Sequence, residues 1–333
     1  MKTDCSCVSN RLERIRKDYR RIIGAAICAA CGLFGGTAQA DGRMLCVLVP
    51  HFKDEYWLSV AYGLEQRSDD LGFAVRFFEA GGYNALQNQL RQIEACIALE
   101  PAAILIGAVS SDAPELLSAV GVASRSLPVI GLVNELHSDA LATRVGVDWA
   151  NMGRTLGRHL AGHYPGEGAR VEAVLLSGPP EAGWVAPLER GLREGLAGSS
   201  VTIVATYGAD TGTAEQLRLV EKARAEHPQA GLVIGTAPAI EAAMALGAED
   251  GGRALAATYA SHSVARGLAG GQVMAAPFDD PMQQGRLAVD AAEAILNGAA
   301  TAMDFRTDIR VLVSGLDPND IALSPADYFP HLD

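Results

Sequence analysis

From Met44 onward, short apolar runs alternate with longer stretches whose apolar residues recur at helical spacing, the pattern of a parallel sheet crossed by helices. Runs at 44–49, 73–79, 102–107, 127–132 and 143–147 read as strands, with helices expected at 57–71, 83–99 and 113–124. In the first helix Leu58, Tyr62, Leu64 and Leu71 approximate helical spacing and Gly72 ends it. A helix beginning near Asn151 then opens a second series, with strands at 171–176, 201–207, 231–234 and 255–259.

Two such series predict an α/β protein of two doubly wound parallel-sheet lobes with a central cleft, because one sheet holding every strand would be unusually wide. No segment rich in Pro, Ser or Gly separates the series, so short crossings and a compact hinge are expected. The 333 residues, 49% of them hydrophobic, suffice for a sizeable core.

The first forty residues do not belong to this pattern. Lys2, Arg11, Arg14, Arg16, Lys17, Arg20 and Arg21 precede an apolar stretch at 22–34, too short to span a bilayer comfortably, and Ala38-Gln39-Ala40 follows. This predicts a signal peptide over 1–40, cleaved after Ala40. The remainder carries 20 basic and 36 acidic residues, a net charge of −16 that disfavours nucleic acid as a partner. Of six cysteines only Cys46 and Cys96 lie beyond the leader. In an oxidising compartment they either bridge, closing a loop that chain entropy values at about 4 kcal/mol, or sit as two inert core thiols.

Aromatic residues make up only 6% of the chain, so their placement is informative. In open α/β sheets a ligand lies beyond the carboxyl ends of the strands. Tyr56 and Trp57 follow the first strand, Tyr83 the second and Trp149 the fifth; Trp184 follows the strand at 171–176, and Tyr259 ends the strand at 255–259. Rings so placed suggest a cage for an apolar or cationic ligand head, although any single ring could instead pack lobe against lobe. Asp54 either balances positive charge in the cleft or caps the helix after it. Gly81-Gly82 reads as a turn more readily than as an anion cradle. No phosphate-binding Gly-x-x-x-x-Gly-Lys-Ser/Thr loop, His-Glu-x-x-His or Gly-x-Ser-x-Gly motif is present, and His159 and His163 have no third ligand in view. The expectation is a binding protein and not an enzyme, with no cofactor and no metal.

The stretches Lys53-Asp54-Glu55-Tyr56-Trp57-Leu58-Ser59, Glu79-Ala80-Gly81-Gly82-Tyr83 and Arg144-Val145-Gly146-Val147-Asp148-Trp149 go further. Together with Met152-Gly153, Gly235-Thr236-Ala237, Glu241-Ala242-Ala243-Met244, Tyr259 and Ser261-His262, they make the chain from about 45 to 296 resemble the TorT family of periplasmic trimethylamine N-oxide sensors, within the type I periplasmic binding proteins. The resemblance implies a periplasmic location and binding of trimethylamine N-oxide. It also implies association with the periplasmic domain of a TorS-like sensor histidine kinase, in two-component signalling that controls anaerobic respiration. Cys46 and Cys96 match cysteines of that family, which implies their disulfide. The family's first lobe also takes in a late helix, here 282–297. This gives lobes of 41–147 plus about 279–305 and of 148–278 plus about 306–333.

The trimethylated nitrogen would lie against Trp57, Tyr83, Trp149 and Tyr259, while the oxide needs a donor that a tyrosine hydroxyl or an indole N–H can supply. Tyr56 lines the same wall or turns into the lobe core. The loop at 178–187 resembles the family poorly, so Trp184 stands as a wall particular to this chain. A sugar-binding component of an ABC importer is the alternative, with Asp54, Asn84, Asp148 and Asp279 as a partial polar rim.

Overall fold

Strand β1 (Met44–Val49) is buried almost end to end because helices cover both faces of its sheet, and its sequence is accordingly a continuous apolar run. The computed structural model describes residues 43–247, 252–299 and 304–332; the signal peptide expected over 1–40 lies outside the described residues. After β1 come α1 (Glu55–Leu71), β2 (Ala74–Glu79), α2 (Leu86–Ala98), β3 (Ala103–Ile106), α3 (Pro114–Ala123), β4 (Val129–Val133) and β5 (Thr143–Gly146). With β11 (Asp304–Arg306) these strands form one parallel sheet in the order β11-β5-β4-β3-β1-β2.

The second lobe contains α4 (Trp149–His163), β6 (Val171–Ser177), α5 (Val185–Gly195), β7 (Val201–Gly208), α6 (Thr213–Glu226), β8 (Leu232–Gly235), α7 (Ala237–Leu246), β9 (Ala254–Ala257), α8 (His262–Ala269) and β10 (Ala275–Phe278). Its sheet runs β12-β10-β9-β8-β6-β7, parallel except that β12 (Arg310–Val313) is antiparallel to β10. The late helix α9 (Pro281–Leu296) returns to the first lobe and lies against α1 at backbone contact distance. A Cβ on Gly63 would sit 2.0 Å from the Met282 carbonyl oxygen, and one on Gly285 would sit 2.2 Å from that of Val60. The described chain thus passes between the sheets at 147–148, at 279–280 and at 307–309.

Several sequence expectations shift by a few residues. Helix α1 begins at Glu55 and not at 57, because Asp54 accepts from the Tyr56 N–H as its N-cap, and α4 begins at Trp149 behind an Asp148 cap. Helix α2 starts at Leu86 and not at 83, since Gly81 and Gly82 hold φ of 104° and 147° and leave Tyr83 in a turn. Tyr259 lies two residues beyond β9 instead of ending it.

The larger difference is the tail, expected with the second lobe. After β12 it crosses back to the first: the Tyr328 hydroxyl donates to Glu65 at 2.8 Å, Tyr328 packs on Tyr62 with ring centroids 4.9 Å apart, and Leu332 bridges Phe77 beside β2. Burial of these rings on α1 outweighs simple continuity with β12.

Cys46 on β1 and Cys96 on α2 are joined as a disulfide, with Cα atoms 6.1 Å apart inside the cluster formed by Leu48, Ile93, Ile104 and Ile106. No helix among the described residues is long and apolar enough to cross a membrane.

Candidate functional site

The turns after β1, β2 and β4 face those after β6, β7 and β9 across the cleft, and the rings they carry meet in its centre. Trp57 sits at the start of α1 with its ring over Gly107, where a Cβ would come within 2.3 Å of the indole. Trp184 lies in the same way on Gly178, again at 2.3 Å. Both glycines are needed for close approach of a rigid ring to the backbone. Tyr56 is edge-on to Tyr259, with centroids 5.5 Å apart, and 6.4 Å from Trp149. Trp184 lies 5.5 Å from Trp149 and 6.2 Å from both Tyr83 and Tyr259.

These six rings, with Asp54, Val133, Asn134 and Thr211, line a cavity of about 20 Å³. That is far below the roughly 300–1,000 Å³ of cavities that hold drug-sized ligands. It is room for about one water, so even a compact guest enters only as the rings or lobes move apart.

All seven residues picked from the sequence therefore line one cavity: Asp54, Tyr56, Trp57, Tyr83, Trp149, Trp184 and Tyr259. Of the two roles weighed for Asp54 the structure shows the cap: one carboxylate oxygen caps α1, while the other accepts from the Tyr259 hydroxyl at 2.5 Å. Asn84, Asp148 and Asp279 do not line the cavity: Asn84 is exposed, Asp148 caps α4 and pairs with Arg306, and Asp279 stands behind Tyr56.

Val133, Asn134 and Thr211 were missed. Val133 is a β-branched residue at φ 62°, with the Asn134 N–H bonded to the Leu132 carbonyl at 2.6 Å, a three-residue turn that costs backbone energy. The turn aims the Val133 carbonyl at the Trp149 indole N–H, 3.1 Å away. It also lets the Asn134 side chain donate to the Ala108 carbonyl and to the Tyr83 hydroxyl. Strain at one residue thus fixes two rings.

Burial governs the electrostatics. It raises the Asp54 carboxyl to about 6, against the opposing pull of the Tyr259 hydroxyl and the Tyr56 N–H. It raises Asp279 to about 6 as well, partly offset by the Tyr56 hydroxyl, which donates at 2.7 Å, and by the Gln284 amide at 2.8 Å. Tyr56 and Tyr259 are pushed well above the usual phenol range, by burial first and then by these carboxylates. Each hydroxyl therefore keeps its proton and directs it to its carboxylate partner.

Beyond the cage the lobes touch directly. His51 Nε2 lies 2.9 Å from the Thr211 hydroxyl and 3.4 Å from Asp210, whose other oxygen is 4.0 Å from Lys53. Glu55 accepts from the Ser263 N–H at 2.8 Å, and Gly183 abuts Ser111 and the Glu135 carbonyl. No cluster of three His, Cys, Asp or Glu side chains that could hold a metal occurs among the described residues.

Two sheets with exchanged late elements and a small closed cavity at their junction define a two-lobed periplasmic binding protein. Residues 45–300 match the periplasmic binding protein domain family. The chain is 37% identical over 290 residues to the periplasmic protein TorT of Escherichia coli (strain K12), covering 86% of this chain and 83% of that one. The chain belongs to the TorT family and is a periplasmic protein. Its fold is also that of a solved complex of the TorS sensor domain with TorT in the absence of ligand, with a TM-score of 0.77, 32% identity and coverage of 87% of this chain and 100% of that one. The same complex in the presence of TMAO gives 0.77 and 33%. A solute binding protein of an ABC transporter from Bradyrhizobium sp. BTAi1, with bound bis-tris, has a TM-score of 0.73 and 36% identity over 88% of this chain and 90% of that one.

Proposed function

We propose that the chain binds trimethylamine N-oxide in the aromatic cage and passes its occupancy to the periplasmic domain of a TorS-like sensor histidine kinase. The observation that carries this is the cage itself: six aromatic rings from both lobes converging on one small pocket, with Asp54 among its lining residues. A methylated cationic nitrogen gains roughly 0.5–2 kcal/mol from each aromatic face it meets, more when water is excluded. Trp57, Tyr83, Trp149, Tyr259 and Tyr56 form the walls, and Trp184 narrows the space from the second lobe. Asp54 supplies negative charge once ionised. The solved relatives, TorT with the TorS sensor domain both without ligand and with TMAO, support both the ligand and the partner.

The Asp54 carboxylate at the cavity and the Asp279 carboxylate behind Tyr56 are bonded to the chain's own tyrosines, which makes them structural groups and not reagents, so we read a binding protein and not an enzyme. The moving bodies are 43–147 with about 280–306 and 148–279 with about 309–315, the tail reaching back from the second to the first.

An importer component is the second reading, favoured by the 36% identity to an ABC transporter's solute binding protein. A sugar is the poorer guest for it, since hydroxyls closed into this cavity would find the carboxylate oxygens and ring hydroxyls already engaged.

Calorimetry on ligand-stripped protein with trimethylamine N-oxide, betaine, choline and ribose tests the ligand. Heat is expected with the N-oxide, and binding of ribose alone would overturn the reading. Co-elution of the liganded protein with a kinase periplasmic domain separates signalling from import.

A further inference from the structure

We propose that the Trp184 indole N–H is the donor that receives the ligand's anionic oxygen, making Trp184 the residue that selects an N-oxide over a purely cationic amine. The inference rests on the cage reading above and assigns its polar end. Buried polar groups in folded proteins are almost always hydrogen-bonded, so an exception calls for an explanation. Of the buried side-chain polar atoms without a partner among the described residues, Trp184 Nε1 alone belongs to a residue lining the cavity. Trp184 is 3% exposed, so solvent does not satisfy it.

Four of the neighbouring donor groups are already engaged. The Tyr56 and Tyr259 hydroxyls donate to Asp279 and Asp54, the Trp149 indole donates to the Val133 carbonyl, and the Asn134 amide is held by the Ala108 carbonyl. The Trp184 N–H lies close enough to the Tyr83 oxygen to favour its ionised form, as does the Trp57 side chain, yet it makes no bond of hydrogen-bond geometry there. The Tyr83 hydroxyl, which accepts from Asn134, stands beside it as a second group able to donate. An oxygen at this corner meets an indole N–H, and the methyl groups attached to the same nitrogen then turn towards the ring faces. The glycine under the indole, Gly178, locks the ring and hence the N–H direction.

Trp184→Phe keeps an aromatic wall and removes the N–H. Wild type and variant are titrated with trimethylamine N-oxide and with tetramethylammonium, which replaces the oxide by a methyl group. Wild type should prefer the N-oxide, and the variant should lose about tenfold or more of N-oxide affinity while tetramethylammonium changes by less than about threefold. Equal losses for both ligands, or no loss for either, would overturn the proposal and leave Trp184 a wall. If wild type binds neither ligand, the cage reading falls and takes the proposal with it.

Proton–nitrogen NMR of the wild-type protein tests the same point without relying on the variant's fold, the variant serving only to identify the resonance that disappears. The Trp184 indole signal should move downfield and exchange more slowly with the N-oxide but not with tetramethylammonium. An unmoved signal under saturating N-oxide would refute the assignment.

Discussion

Asp54 shows how one side chain can carry geometry and charge together. Its folded carboxyl titrates near 6 and not at 3.8, because burial outweighs the Tyr259 hydroxyl and the Tyr56 N–H, with the charge of His51 lowering it and that of Glu55 raising it. The fold thus favours the protonated form. The stability this contributes is fully present below the unfolded value near 3.8 and is lost as pH rises through about 6. A rise of that size corresponds to about 3 kcal/mol. Asp54→Asn keeps a capping side chain without the ionisation, so the advantage of wild type over the variant should shrink by about that amount between pH 4 and pH 7. Urea unfolding at the two pH values measures it, and a constant difference would mean that Asp54 is solvated.

The same residue marks where sequence reasoning succeeds and where it stops. Seven of the ten lining residues were legible, six because rings are rare in this chain and stand just beyond strands, and Asp54 because it shares the first of those turns. Val133 and Thr211 were not: the role of Val133 depends on a turn that a β-branched residue seldom adopts, and that of Thr211 on contact with His51 from the other lobe.

At the scale of elements, periodicity identified the alternating strands and helices because parallel strands covered on both faces read as continuous apolar runs. Boundaries moved where a cap or a turn decided them, as at Asp54 and Gly82. The disulfide turned on a choice that sequence left open, between a bridge and two thiols. It fastens α2 to strand β1 across 50 residues of chain. Replacing both Cys46 and Cys96 by Ala should therefore cost about 4 kcal/mol in the chain-entropy model, read as a lowered denaturation midpoint, while ligand affinity stays within about threefold because neither residue touches the cavity. A collapse of affinity would show instead that the bridge sets the position of Tyr83 through α2.

At the scale of the whole molecule, polar groups as well as the cage bridge the two lobes. His51 and Lys53 in the first lobe meet Asp210 and Thr211 in the second, and Glu55 of α1 meets Ser263 of α8. Asp210→Ala removes the acidic member of the first group. The ligand-free variant should populate an open form, seen as a larger radius of gyration in solution scattering, and ligand affinity should fall about tenfold as the binding-competent fraction falls. The radius of the saturated variant should return to that of wild type; a permanently enlarged one would mean damage to the hinge.

The returning tail has a consequence of its own. Ser324 takes a hydrogen bond from His262 of the second lobe through its carbonyl and donates its own N–H to Ser59 of the first. When the cleft gapes, one of those attachments has to yield, and the segment carrying the outward-facing Phe329 must go with whichever lobe keeps it. A guest sealed among six rings is beyond any macromolecule's reach, yet its arrival and departure would be rewritten on the exterior, in the placement of one short ribbon of chain.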